Sequence, residues 1–390
     1  MAASLASSGA AGNGTTAAGP SSSSSSTAAT APVDKLPISS DLLSKLKPAK
    51  IFTAEVTKGT NVTSLAFDDL GHRCLSSGED GYLHLYDARK GTHSLKVPSL
   101  KYGAHLGRFT HASDAVIFAS TKENNAIRYL DLNTRTFLGY FEGHNNKVVS
   151  LEMSPKDDSF LSASVDEAVV LWDLRSRKQQ GRMELQGHPV VAYDPTGMVA
   201  AVAVNERAAV LLYDVRKIDQ LPFLVIYLDD REALSRISMP PRIPIITSLV
   251  FDSKGEFLLI GTSGDVHYVY DTLGSDCTAP VARLVGHSGL ERASGGSIGM
   301  VAEAGISGQE FCWTPDGKWV MAGGADGTVS CWHVDPQATQ RNEFRNLQPK
   351  FKLPGHDGPC RSLAFNPRYA QLTSAGAEVA FWLPELPEQI

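Results

Sequence analysis

Eleven histidines and five cysteines are the residues of this 390-residue chain best suited to hold a metal or attack a substrate. Their spacing supplies neither arrangement. A helical zinc site announces itself by paired ligands such as His-Glu-x-x-His, and no such pair occurs. Cys74, Cys277, Cys312, Cys331 and Cys360 include no Cys-x-x-Cys, so they read as reduced, packed thiols rather than a disulfide framework. Nucleophilic catalysis needs a serine or cysteine beside a base, but no Gly-x-Ser-x-Gly turn is present. "GGSIG" at 295–299 lacks the lysine of a phosphate loop. Asp229 and Asp230 could be a carboxylate pair, but they follow a strand and read as solvated loop charge. No catalytic residue, metal or cofactor is expected.

Composition narrows the class further. The net charge of −6 argues against a bare nucleic-acid binder, so no direct nucleic-acid contact is expected. No apolar stretch approaches the ~18 residues of a membrane span, and no membrane association is expected. The N-terminus has neither a secretory core nor the arginines of a mitochondrial presequence, which leaves the cytosol or nucleus. Residues 1–31 carry no charge and are largely Ala, Ser, Thr and Gly. Such a segment buries too little apolar surface to offset its lost chain entropy, so 1–33 is expected to be a disordered tail before a folded domain at 34–390.

The folded part repeats. The endings "LHLYD" (Asp87), "IRYLD" (Asp131), "VVLWD" (Asp173), "VLLYD" (Asp214), "HYVYD" (Asp271), "VSCWH" (His333) and "VAFWL" (Leu383) share one pattern, with successive intervals of 44, 42, 41, 57, 62 and 50 residues. Upstream of each stands a strand-like stretch such as "VTSLAFD" or "ITSLVFD", and Gly-His pairs end at His144, His188, His287 and His356. A period of ~40–45 residues, with Gly-His early and Trp-Asp late, resembles the WD40 family. The resemblance implies an all-β fold, a single seven-bladed WD40 β-propeller. The two longest intervals place insertions at about 229–242 and 288–308, after an outer strand and on the face that bears the Gly-His loops.

In that family a histidine, a serine or threonine, an aspartate and a tryptophan form a hydrogen-bonded chain. The third repeat matches it as a structural tetrad, His144, Ser162, Asp166 and Trp172. Other repeats keep parts of it. The first has Ser76 and Asp80 with Tyr86 and no matching histidine; the sixth has Ala322 in place of serine. The seventh has His356 and Trp382 and is read as lacking the turn aspartate. Trp382 lies eight residues from the C-terminus, too close to leave an outer strand. "AKIFTAEV" (49–56) is therefore expected to complete the seventh blade, after a short helix in "DLLSKLKPAKIF" stopped at Pro48.

Several stretches resemble one subfamily more closely: "LKYGAHLGRFTHA" (100–112), "NAIRYLDL" (125–132), "VVSLEMSPKDDSFLSASVDEAVVLWDLRS" (148–176), "PVVAYDPTG" (189–197), "LYDVR" (212–216) and "AFWLPEL" (380–386). It is the small propeller subunit of COMPASS-type histone H3 lysine methyltransferase complexes, shared in fungi with the pre-mRNA cleavage and polyadenylation factor. The resemblance implies a non-catalytic nuclear scaffold that binds methyltransferase or polyadenylation-factor subunits and links them to the phosphorylated tail of RNA polymerase II. Lys101, Tyr102, Arg108 and His111, between the first and second blades, are the expected partner-binding residues on the Gly-His face. A second reading starts from "WDLR" and "YDVR". Their Arg175 and Arg216 resemble arginines gripped by adaptors of cullin-RING ubiquitin ligases, which would make the chain a substrate receptor.

Overall fold

Alternating apolar and polar residues, punctuated by Gly, Asp and Pro, dictate short antiparallel strands joined by tight turns. The structure, a computed structural model, describes residues 37–166, 168–185, 187–228, 230, 235, 245–273, 279–290, 309–335 and 345–385. Within these residues the strands form seven sheets. The tail at 1–33 lies outside them.

The third sheet shows the plan. Val148–Met153 is its inner strand, Ser159–Ser164 the second, Ala168–Asp173 the third and Lys178–Glu184 the outer, each antiparallel to the next. The third strand is buried along most of its length, and the outer one is mostly exposed. Inner strands Val62–Phe67, His105–Phe109, Val148–Met153, Pro189–Tyr193, Ile246–Phe251, Phe311–Trp313 and Ser362–Phe365 adjoin in sequence order, and the last adjoins the first. The sheets are the blades of a closed propeller. Its core lies between neighbouring blades: Leu161, Val169 and Leu171 of blade 3 pack on Val191, Val202 and Leu211 of blade 4.

Closure follows the expectation, with shifted boundaries. Leu46–Phe52 pairs antiparallel with Val379–Pro384 and becomes the outer strand of blade 7. It starts three residues before the expected 49–56 segment and ends four residues short of that segment's end. The helix is Ser40–Ser44, capped by Ser39 Oγ, which accepts from Leu42 N at 3.2 Å. Pro48 does not stop it but sits inside the strand, beside a register shift between Pro48 and Lys50. An outermost strand tolerates proline because its free edge needs no N–H donor. Phe52 then reaches across the seam, with ring centroids 4.7 Å from Tyr86 of blade 1 and 5.3 Å from Phe381 of blade 7.

One strand departs from the repeat. Arg345–Leu347 belongs by sequence to the connection before the outer strand of blade 6, Phe351–Pro354. It crosses to blade 5 and adds parallel to the outer strand Ala282–Val285 as a fifth member. The last interval thus holds an excess placed differently from the two insertions.

The tetrad of blade 3 is formed. His144 Nε2 lies 2.7 Å from Ser162 Oγ, which accepts from Trp172 Nε1 at 2.8 Å, and His144 Nδ1 faces Asp166 Oδ1 at 3.4 Å. The carboxylate can only accept, so Nδ1 carries the proton and the Ser162 hydroxyl donates to Nε2. Blade 7 has the same chain; it lacks the turn aspartate, as read from the sequence, but Glu378 takes that place. His356 Nε2 lies 2.6 Å from Ser374 Oγ, Trp382 Nε1 donates to the same oxygen at 2.6 Å, and Glu378 Oε1 faces His356 Nδ1 at 3.2 Å. Its hairpin is one residue pair shorter, and the extra methylene of glutamate covers the difference. In these two blades the glycine of the Gly-His is forced by the same indole. A Cβ at Gly143 would stand 2.9 Å from Trp172 Cη2, and one at Gly355 2.2 Å from Trp382 Cη2. In blade 6, with Ala322, Trp332 Nε1 donates instead to Val285 O at 3.2 Å. In blade 1 the imidazole comes from the third strand, where His84 Nε2 meets Asp80 Oδ2 at 3.1 Å.

Four outcomes follow from this packing. Phe52→Ala removes the seam ring and lowers stability by about 3–5 kcal/mol, and deleting 37–52 bares the edge of blade 7 and makes the protein aggregate; unchanged melting in both would refute the closure. Ser374→Ala leaves an indole and an imidazole unpaired, a loss of about 1–3 kcal/mol by denaturant titration. Burial holds His144 and His356 below the ordinary histidine range and pushes His105 down to about 3. The unfolded chain therefore takes up protons that the folded one refuses as pH falls below the ordinary value near 6.5. The melting temperature should drop steadily from pH 7 to pH 5, and a flat profile would contradict the buried neutral state.

Candidate functional site

A propeller strand crosses the ring wall, so alternate connections emerge on opposite faces. Connections from outer to inner and from second to third strands share the Gly-His face; the other two kinds share the opposite face. On the Gly-His face the central channel opens into a cavity of ≈ 570 Å³. Glu79, His105, Lys147 and His188 are among the residues that line it. On the opposite face a mouth of ≈ 690 Å³ carries Asp69, Arg108 and Glu152.

The four residues expected together between blades 1 and 2 are spread over three levels. Lys101 and Tyr102 do lie in the connection between Thr92–Pro98 and His105–Phe109 on the Gly-His face. Arg108 does not. It sits within the inner strand, buried in the channel wall, and its NH2 donates to Glu152 Oε1 at 2.7 Å. His111 has passed to the opposite face, where Nδ1 meets Asp69 Oδ2 at 3.1 Å and Nε2 meets Ser154 O at 3.1 Å. The Asp69 hydrogen bond raises its pKa above the ordinary range. The physical reason is the five-residue strand between them, which spans about 17 Å at ~3.3 Å per residue.

Around Tyr102 the structure assembles a cluster that the sequence did not single out. The Arg128 guanidinium lies 3.4 Å from the Tyr102 ring centroid, 5.1 Å from Tyr140 and 5.4 Å from Phe137. Arg128 is buried, and its bonded partners are neutral: Ser120 Oγ at 2.9 Å and Asn124 Oδ1 at 3.2 Å. Three π-faces stabilise a cation that, among the described residues, has no carboxylate within ion-pair distance. Phe137 and Tyr140, on the outer strand Thr136–Phe141, leave their far sides exposed. Lys101 stands at the rim, Nζ 3.4 Å from Glu123 Oε2. A signal was present in "IRYLD": Arg128 occupies the position where the next two repeats place Val170 and Leu211.

Arg175 and Arg216 lie on the opposite face, in the turns after the third strands of blades 3 and 4. Arg175 Nε donates to Asp158 Oδ2 at 2.8 Å, and Arg216 backs onto Met198 Sδ at 3.7 Å. The flanks of both insertions run from outer to inner strands, but 229, 231–234, 236–244 and 291–308 lie outside the described residues. Asp230 is described and corrects the solvated reading: it is buried and takes two hydrogen bonds from Arg283. A loop aspartate folded back over a sheet finds an arginine that sequence spacing cannot show.

Outside the tetrads, whose polar atoms are bonded to one another, the described residues hold a further acid–base cluster, Asp80–His84–His93. His84 Nε2 faces Asp80, and its Nδ1 lies 3.2 Å from His93 Nε2. Both nitrogens of the central imidazole are thereby occupied, and neither meets a hydroxyl or thiol. Cys74, Cys312, Cys331 and Cys360 are buried, and burial pushes Cys312 and Cys360 up to about 12, far from a reactive thiolate. Cys277 lies outside the described residues. Among the described residues no group of three His, Cys, Asp or Glu side chains is placed to hold a metal ion.

With this geometry in place, comparisons with known proteins are specific. The model of the WD domain, G-beta repeat, matches residues 46–87, 135–173 and 306–333. WD repeat-containing protein 82 of Drosophila melanogaster is 35% identical over 354 residues, covering 91% of this chain and 99% of that protein. Set1 complex component swd2 of Schizosaccharomyces pombe is 34% identical, covering 88% and 98%. COMPASS component SWD2 of Saccharomyces cerevisiae is 33% identical, covering 89% and 98%. Likeness at this level, covering 88–91% of this chain and 98–99% of each relative, joins the repeat pattern in one conclusion: the chain, itself a propeller of seven blades, belongs to the WD-repeat family that contains swd2 and WD repeat-containing protein 82.

Proposed function

We propose that this chain is a non-catalytic scaffold subunit of a nuclear COMPASS-type histone H3 lysine-4 methyltransferase complex. The observation that carries the reading is the near-complete coverage of two relatives named as Set1 complex and COMPASS components. The fold supports it, since the channel mouths and blade rims offer surfaces rather than a built reaction centre. Its partners are methyltransferase subunits, and its place is the nucleus.

The finer reading is that the chain links its complex to transcribing RNA polymerase II, and that it also serves the mRNA cleavage and polyadenylation factor. The Gly-His face supports the polymerase link. Lys101, the Arg128-centred aromatic cluster and the exposed rings of Phe137 and Tyr140 combine cations with π-faces, which suits an extended phosphorylated peptide. Arg108 and His111 drop out of this surface because one is buried in the channel wall and the other lies on the opposite face. The cullin-RING substrate-receptor reading is weakened by Arg175, whose guanidinium is already tied to Asp158 within its own blade.

Affinity purification of the full chain from nuclear extract, read by mass spectrometry, tests the assignment. SET-domain methyltransferase subunits should co-purify, and depletion of the chain should lower lysine-4 methylation of histone H3. Recovery of cullin and adaptor subunits without methyltransferase would overturn it. For the polymerase link, Lys101→Glu combined with Tyr140→Ser should weaken binding of a phosphorylated polymerase-tail peptide by about tenfold or more, a loss of ~1.4 kcal/mol. Equal binding by the double variant would remove this surface from the proposal.

A further inference from the structure

Blade 4 carries a feature that neither the repeat nor the assignment above accounts for. The connection from its third strand, Ala209–Asp214, to its outer strand, Leu224–Tyr227, reads "VRKIDQLPF" and is longer than the corresponding turn of blade 3, residues 174–177. It is tightly held. Asp214 Oδ1 accepts from Arg216 N at 3.0 Å, Gln220 N donates to Lys217 O at 2.9 Å, and Phe223 N donates to Leu212 O at 2.9 Å. Ile218 is buried against the outer strand of blade 3, where a Cβ on Gly181 would stand 2.4 Å from Ile218 Cγ2.

A loop pinned at its start, middle and end nevertheless turns Leu221 and Phe223 to solvent, beside Met198 of a neighbouring turn. Leu221 is 91% exposed, Phe223 60% and Met198 43%. With Arg216 and Lys217 they frame a depression of ≈ 460 Å³ on the opposite face from the Gly-His loops. Ordering these side chains outward forgoes hydrophobic stabilisation that an inward turn would gain. Neither Arg216 nor Lys217 has a carboxylate within ion-pair distance among the described residues. The nearby Asp214 has its Oδ1 committed to the turn. The depression therefore presents apolar anchors beside Arg216 and Lys217, two cations against the single carboxylate of Asp214 in its lining.

We propose that this groove on blade 4 is a docking site for a short acidic segment of a partner protein that bears one or two large apolar side chains. Those side chains would cover Leu221, Phe223 and Met198 while flanking carboxylates meet Arg216 and Lys217, the division between apolar anchor and charged rim common to protein interfaces. The site stands apart from the Gly-His surface, so one chain can hold two partners at once. A bare polyanion would engage the rim and leave the anchors wet, which favours a peptide over RNA.

Panning a random dodecapeptide display library over the immobilised full chain provides the test. Enriched sequences should combine Asp or Glu with Leu, Phe, Ile or Met. Their synthetic peptides, followed by fluorescence anisotropy, should lose about tenfold or more in affinity to Arg216→Glu/Lys217→Glu and separately to Leu221→Ser/Phe223→Ser. Both variants alter surface groups and should melt as the parent does; a lowered melting temperature is resolved by a photo-crosslinking residue at position 223 in the parent chain, which should tag the peptide. Peptides lacking acidic residues, peptides insensitive to both variants, crosslinking elsewhere, or poly(U) RNA that competes fully with the peptides would each overturn the proposal. Methyltransferase co-purification is unaffected by these results, so failure here is separable from failure of the assignment.

Discussion

Everything else in this propeller depends on one pairing, Leu46–Phe52 against Val379–Pro384. Seven sheets around an axis bury their faces on one another only if the first and last are forced to meet. Lending the outer strand of the last blade from the beginning of the chain supplies that force. The same strand carries Phe52 into the seam, so backbone pairing and apolar packing act at one place. The helix before it adds Leu43, fully buried in the cluster that joins blades 6 and 7. A free outer edge would otherwise be a template for aggregation.

Within blades, the polar tetrads solve a different problem. An indole N–H and an imidazole buried between sheets destabilise the fold unless each finds a partner. Blades 3 and 7 meet the need with serine and a carboxylate, and blade 6 with a backbone carbonyl. The imidazole is kept neutral by burial, and its two nitrogens take opposite roles. This makes the lock directional and confines it to conditions where histidine stays unprotonated.

Surfaces inherit their character from strand crossing. Residues that are close in sequence but separated by an inner strand end on different faces, as Tyr102 and His111 do. Residues far apart in sequence can share a rim: Tyr102, Arg128, Phe137 and Tyr140 come from a loop, a third strand and an outer strand of one blade. The buried Arg128 cation gives that cluster rigidity, and the pinned loop of blade 4 gives its groove the same quality by hydrogen bonds. Two stiff surfaces on opposite faces suit the proposed role of holding partners.

The sequence alone determined the repeat, the number of blades, the tetrad of blade 3 and the origin of the closing strand, because each is written as a period, a residue type or a missing element. It also carried the family, through stretches that no propeller requires. Tertiary structure alone decided where the contacts lie. The carboxylate of blade 7 was hidden by a shortened hairpin, and the burial of Asp230 by a partner 53 residues away. The crossing of Arg345–Leu347 to blade 5, and the parting of Arg108 and His111 from Tyr102, follow from chain direction in space. Periodicity reports which face a side chain takes on its own strand; which neighbour stands opposite is set by packing between strands distant in sequence.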